Sequence, residues 1–282
     1  MIISDSQAKK VAQAVEYLLK RANKPTLGVI LGSGLGEFAA ELSQSVSIPA
    51  TDIPNYPAST VPGHSGRLVF GCITDNGRKS AEILVFQGRK HFYETGSLDP
   101  VIFPVLLARA LGVTSLIVTN AAGGVNRSFT PGDLMLIRDV LNLTFLPLPG
   151  KLSDDDIRPS SPALDANMGQ AFRESADKMG MTLQEGTYCW LKGPSYETAA
   201  EIEMLSRLNV DAVGMSTVPE LVHSAALGIR TGGLSLITNF ATGITDQKLS
   251  HAEVTETASK VKDRFTQLLQ STLLSISQPS QV

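Results

Sequence analysis

The sequence predicts an α/β fold in one domain, with a β-sheet covered by helices on both faces. Three observations carry that reading. The apolar runs are short and do not alternate with polar residues, as expected of strands buried on both sides. Longer segments with helical spacing separate them. No repeat or long linker divides the 282 residues, a length that one α/β domain commonly holds.

Taken in chain order, Ser4 and Asp5 can cap a first helix in which Val11, Ala14, Val15, Leu18 and Leu19 recur at helical spacing. After Pro25 the run Leu27-Gly28-Val29-Ile30-Leu31 reads as a buried strand ending in GSGLG. Leu68-Val69-Phe70 and Ile83-Leu84-Val85-Phe86 are further strands, followed by a helix over about Val101 to Leu111. Leu116-Ile117-Val118-Thr119, Met135-Leu136-Ile137, Thr187-Tyr188-Cys189-Trp190, Ala212-Val213-Gly214-Met215 and Leu234-Ser235-Leu236-Ile237 continue the strand series. Helices are expected near 163–180, 196–208, 217–228 and 251–275. The stretch from about Leu146 to Pro162, rich in Pro, Ser and Asp, is expected to be a mobile loop. The tail SQPSQV is expected to fray from about 277.

Composition excludes several classes. A net charge of −3 provides no general field for nucleic acid or membrane, so an anion must be met by a local cluster. Cys72 and Cys189 are far apart and form neither a disulfide framework nor a metal-ligand spacing. The N-terminus lacks the basic-then-apolar pattern of a signal peptide, and no apolar run reaches membrane-spanning length. A cytoplasmic protein is the expectation.

The chemistry concentrates at strand ends, where α/β sheets usually meet ligands. Gly32-Ser33-Gly34-Leu35-Gly36 can turn its N–H groups toward an anion, with the Ser33 hydroxyl as a further donor. A tight strand-to-helix turn accounts for the same glycines, and Glu37 breaks the dinucleotide fingerprint. In GRKHFYE, extended backbone would send Arg89, His91 and Tyr93 to one side, a cluster suited to phosphate. A solvated charged edge is the plain alternative. His64, in PGHSG, either caps backbone or touches the same anion. The small residues of Thr119-Asn120-Ala121-Ala122-Gly123-Gly124 admit either an anion or a closely packed helix. Tyr196 beside Glu197 suits a planar heterocycle that stacks on a ring and donates N–H bonds to a carboxylate. Glu197 equally suits the first turn of a helix. Val213, Met215 and Ser216 follow a strand, and Asn239 ends another, with His251 twelve residues on.

In order, GSGLG, PGHSG, GRKHFYE, TNAAGG, GPSYETAAE, DAVGMSTVPE, SLITN and a later His closely resemble the trimeric, low-molecular-mass purine nucleoside phosphorylases. The resemblance runs from about Leu27 to about Val254, and GPSYETAAE and DAVGMSTVPE are its most specific parts. It implies a single nucleoside phosphorylase domain over 1–282, with a mixed, partly barrel-like sheet flanked by helices. It further implies a homotrimer with sites near its interfaces, and phosphorolysis of purine (deoxy)ribonucleosides in purine salvage. No cofactor or metal is implied, because inorganic phosphate is a co-substrate.

On the same resemblance, phosphate would be held by Ser33, Arg89, His91, the backbone of Ala121 and Ser216, with His64 close by. Ribose would pack on Met215, with Tyr93 near its 3′-hydroxyl and His251 near its 5′-hydroxyl. The base would lie against Tyr196 and Val213, with Glu197 accepting from N1–H and Asn239 bonding O6 and N7. Asn239, Glu197 and His91 are the catalytic candidates. A carboxylate at 197 can only accept, so hypoxanthine and guanine fit where adenine does not. The methylthioadenosine branch carries Asp in place of Asn239 and lacks a polar partner like His251, which favours the 6-oxopurine branch. Xanthosine remains an alternative through Thr242. One departure stands out. Relatives carry a Phe that reaches into the neighbouring site, yet Leu146 to Asp165 holds no aromatic, and Phe145 is the nearest.

Overall fold

The computed structural model describes residues 4–59, 66–75, 77–149, 163–245 and 251–277, without the side chains of 251–254. His64, most of the 146–162 loop and the tail beyond 277 therefore lie outside the described residues.

Eleven strands are described: β1 (Leu27–Ile30), β2 (Ser43–Pro49), β3 (Arg67–Cys72), β4 (Thr74–Asp75), β5 (Arg78–Lys79), β6 (Ile83–Gln87), β7 (Ser115–Gly124), β8 (Leu134–Asn142), β9 (Gln184–Trp190), β10 (Ala212–Gly214) and β11 (Arg230–Phe240). The helices are α1 (Asp5–Leu19), α2 (Asp99–Leu111), α3 (Ala166–Lys178), α4 (Ala199–Arg207), α5 (Val218–Ala226) and α6 (His251–Ile276). Ser4 caps α1 through the Gln7 amide and Thr198 caps α4 through the Glu201 amide, each within a full capping box.

Nine strands form one mixed sheet in the order β10-β9-β8-β11-β7-β1-β6-β3-β2, and β10 also pairs with β7. That extra pairing closes β7, β10, β9, β8 and β11 into a ring, with the remaining strands as an open wing. The long strand β7 makes both halves possible. On one side β11 accompanies it throughout; on the other, β1 takes Ser115 to Val118 and β10 takes Gly123 and Gly124. Between those two partners, over Thr119 to Ala122, the sheet forks.

Alternate residues of the central strands enter different cores, as a sheet covered on both faces requires. Leu27, Val29, Ile83, Val85 and Ile117 pack with Phe172 and Phe265 of α3 and α6. Ile30, Leu84, Phe86, Leu116 and Val118 pack with Leu18, Leu107 and Leu221 of α1, α2 and α5. Burying each such side chain contributes about 1.5–3 kcal/mol, which anchors the strands that flank the fork.

The predicted strands and helices are all present, with three differences. TNAAGG, read as the close of the strand from Leu116 to Thr119, extends it as the second half of β7. Phe92–Glu94 is a 3-10 turn and not extended backbone, because Glu94 reaches back to the His91 N–H at 2.6 Å. The edge strand β2 and the β4–β5 hairpin escaped the sequence reading, since their exposed polar residues carry no apolar signal.

Candidate active site

A cavity of about 220 Å³ opens in the fork of the sheet. Gly32 and Ser33 bring the end of β1 to its rim, and the middle of β7 supplies Asn120, Ala121 and Ala122. Gly32 is needed there: a Cβ would stand 2.6 Å from the Asn120 Cα. Every sequence-predicted site residue whose side chain is described lines this cavity. His64 lies outside the described residues, and His251 begins α6 with its side chain likewise undescribed.

One end is rich in donors. The Arg89 guanidinium is buried, and its Nη1 donates to Thr217 Oγ1 at 3.1 Å and to Glu220 Oε1 at 3.0 Å. Nη2 donates to the carbonyls of Ile30 and Thr119. These bonds hold the guanidinium behind Ser33, Ser216 and the β7 backbone, with Glu220 paired to its charge. Burial and the neighbouring Arg89 charge lower the His91 pKa from 6.5 to about 4, against the pull of Glu94. The ring is therefore neutral at pH 7. Its Nδ1 lies 3.3 Å from Glu94 Oε1, and Glu94 also pairs with Lys90 Nζ at 2.9 Å. Tyr93 stacks on His91 with ring centroids 5.0 Å apart.

The opposite end suits a heterocycle. Glu197 is only 9% exposed, and burial raises its carboxyl pKa above the usual range. Behind it burial pushes the Cys189 thiol up to about 12, with the Glu197 charge adding to the effect. Tyr196 stays half-exposed at the mouth, and Val213 and Met215 form the wall. A register shift in β11 between Ile237 and Asn239 re-aims the Asn239 side chain. Its Oδ1 accepts from Thr238 Oγ1 at 2.8 Å, and its Nδ2 donates to the Phe240 carbonyl at 2.9 Å. An amide has two acceptor and two donor valences. One of each is thus left for a ligand.

Comparison with known proteins agrees with this geometry. The phosphorylase superfamily model matches residues 26–274. The chain is 45% identical to purine nucleoside phosphorylase 1 of Geobacillus stearothermophilus over 267 residues, covering 93% of this chain and 95% of the relative. It is 42% identical to purine nucleoside phosphorylase of Bos taurus over 271 residues, 90% of each. The chain belongs to the purine nucleoside phosphorylase family. A solved family structure, schistosoma purine nucleoside phosphorylase in complex with hypoxanthine, superposes with a TM-score of 0.84. That match has 34% identity and covers 98% of this chain and 99% of the other.

In this family member, several residues that line the cavity or stand just behind its wall are not marked as site residues by the sequence. Glu220 follows Val218 and Pro219 and reads as an ordinary first-turn acid, yet it is completely buried against Arg89. Asn120 and Thr217 sat inside quoted motifs, but nothing local marks their mutual 2.9 Å hydrogen bond across 97 residues. Thr238 and Glu94 were adjacent to candidates, and that adjacency was the available signal. Phe145, the aromatic nearest the unusual loop, is 87% exposed with a φ of 57°.

Proposed function

We propose that the chain is a purine nucleoside phosphorylase that uses inorganic phosphate to cleave inosine and guanosine, and their deoxy forms, to free base and (deoxy)ribose 1-phosphate. The observation that carries this reading is one cavity with a fixed cation and hydroxyl donors at one end and Glu197 with Asn239 at the other.

Phosphate sits among Ser33, Arg89, His91, the Ala121 N–H and Ser216. Ribose packs on Met215 beneath Tyr93; the family resemblance assigns His251 to its 5′-hydroxyl and His64 to the phosphate. As the C1′–N9 bond breaks, positive charge grows on the ribose and negative charge enters the purine. The phosphate dianion beneath the sugar stabilises that cation and then attacks C1′, inverting it to the α-phosphate ester. Asn239 meets the charge arriving at O6 and N7 with its one remaining donor and one remaining acceptor, the latter for a protonated N7. Glu197 accepts from N1–H, which restores ionisation to a carboxyl that burial disfavours. Adenine presents a lone pair at that position, and the unmade buried bond costs about 1–3 kcal/mol. The family resemblance supports a homotrimer in cytoplasmic purine salvage.

The test is release of hypoxanthine from inosine, followed by absorbance with and without phosphate, beside adenosine, methylthioadenosine and xanthosine. Phosphate-dependent cleavage of inosine over adenosine is expected. Equal use of adenosine would refute the role of Glu197, and phosphate-independent cleavage would indicate a hydrolase.

A further inference from the structure

We propose that Thr217 is a positioning residue that leaves the Ser216 hydroxyl an obligate hydrogen-bond donor toward the phosphate. The proposal rests on the phosphate reading given above.

Thr217 is fully buried at the start of α5, with a φ of 81° and a ψ of −51°. A positive φ is a genuine outlier for a β-branched residue, and it persists where the surroundings over-determine it. The Val218 N–H donates to the Ser216 carbonyl at 2.9 Å across it, a positive-φ γ-turn that glycine, without a Cβ, adopts with less strain. What threonine adds at this position is its hydroxyl.

That hydroxyl has its hydrogen bonds dictated by its neighbours. Arg89 Nη1 donates to Thr217 Oγ1 at 3.1 Å, and Asn120 Nδ2 donates to it at 2.9 Å. Neither a guanidinium nor an amide NH₂ can accept, so with the Asn120 amide turned as in this structure both lone pairs of the threonine oxygen are filled. Its own proton must then go to an acceptor, and Ser216 Oγ lies 3.2 Å away. Arg89 Nη1 reaches the same serine oxygen at 3.4 Å. Ser216 thus receives the Thr217 proton and a share of an Nη1 group whose two hydrogens also serve Thr217 and Glu220. It keeps its own proton to give. The serine lines the cavity, so that proton is offered to a bound ligand. The phenol of Tyr188 also approaches the backbone and hydroxyl of Ser216, a contact that the Y188F variant tests. Asn120 and Arg89 therefore act through Thr217 to select a ligand that accepts. The oxygens of a phosphate dianion meet that requirement.

The experiment is steady-state phosphorolysis of inosine with phosphate varied, in the full-length chain and in T217V, T217S, T217G and Y188F. T217V should raise the phosphate KM roughly 3- to 10-fold, as for one lost neutral hydrogen bond, because Ser216 keeps its proton and loses only the partner that orients it. The inosine KM should stay within about twofold, a split that general loss of structure would not produce. T217S should keep the phosphate KM of the parent, because it retains the hydroxyl. T217G relieves the backbone and lacks the hydroxyl, so it should reproduce the T217V shift even if valine hinders folding. An unchanged phosphate KM in T217V and T217G overturns the proposal, as does an equal rise in the inosine KM. A T217S variant as impaired as T217V does the same, because the hydroxyl would then be irrelevant. If Y188F alone reproduces the shift, the phenol orients Ser216 and the assignment to Thr217 is wrong. Inosine cleavage by the parent chain that needs no phosphate removes the phosphate reading itself, and the proposal with it.

Discussion

Asn239 shows how much a single side chain owes to its neighbours. Its amide is held at both ends by Thr238 and the Phe240 carbonyl, so it reaches the leaving purine already oriented. Asn239→Ala should therefore lower kcat about 100-fold or more while changing the inosine KM little, because the bond strengthens only as charge develops. An unaltered kcat would remove Asn239 from the mechanism. Glu197→Ala should cut kcat/KM for inosine by roughly 10- to 100-fold and leave the low adenosine rate nearly unchanged. His91 gives a stability test. Its pKa is lowered from 6.5 to about 4 in the folded chain, so between those values the unfolded chain holds the extra proton. The associated stability is complete above pH 6.5 and is lost as pH falls toward 4. In urea unfolding, the parent should lose about 2 kcal/mol more than His91→Asn between pH 7.5 and 5. Equal losses would show that the imidazole is already protonated in the folded state.

At the scale of elements, the site exists because β7 outlasts β1. β1 pairs with only the first four residues of the ten-residue β7, and β10 takes the last two from the same side. The backbone between them is left open to a ligand. Gly32 permits the crossing at the end of β1, where a Cβ would meet the Asn120 Cα at 2.6 Å. Gly32→Ala should push the two strands apart, costing about 1–3 kcal/mol by the usual penalty for overpacking. The phosphate KM should rise with it, measurable by thermal unfolding and kinetics on the same sample. A stable variant with normal kinetics would show that the crossing tolerates a methyl group. The bulge in β11 plays the corresponding part at the base end.

For the whole molecule, the cavity joins the open wing of the sheet to its closed ring, so a ligand there ties the two together. Phosphate with hypoxanthine, each near 100 times its Kd, should stabilise the fold by about 2.7 kcal/mol or more. A melting temperature unmoved by both would argue against binding in the fork. The homotrimer proposed from the family pattern should appear by light scattering as three times the 30.0 kDa chain. A monomer would confine the site to one chain.

Much of this was legible in the sequence. The non-alternating apolar runs from Leu27, Ile83 and Leu116 required a sheet buried on both faces, because each residue of such a run must find a core. The order of GSGLG, GRKHFYE, GPSYETAAE and DAVGMSTVPE carried the family and most of the residues around the cavity. Pairing partners distant in sequence were not legible. Glu220 reads as a solvent-facing helix acid and is buried on Arg89, 131 residues away. Thr217 takes its orientation from Arg89 and Asn120, on different strands and loops. Apolar periodicity and motif spacing are local properties, written along the chain. The direction of a hydroxyl proton and the charge partner of a buried guanidinium depend on which segments meet, and only the closed ring and its fork decide that.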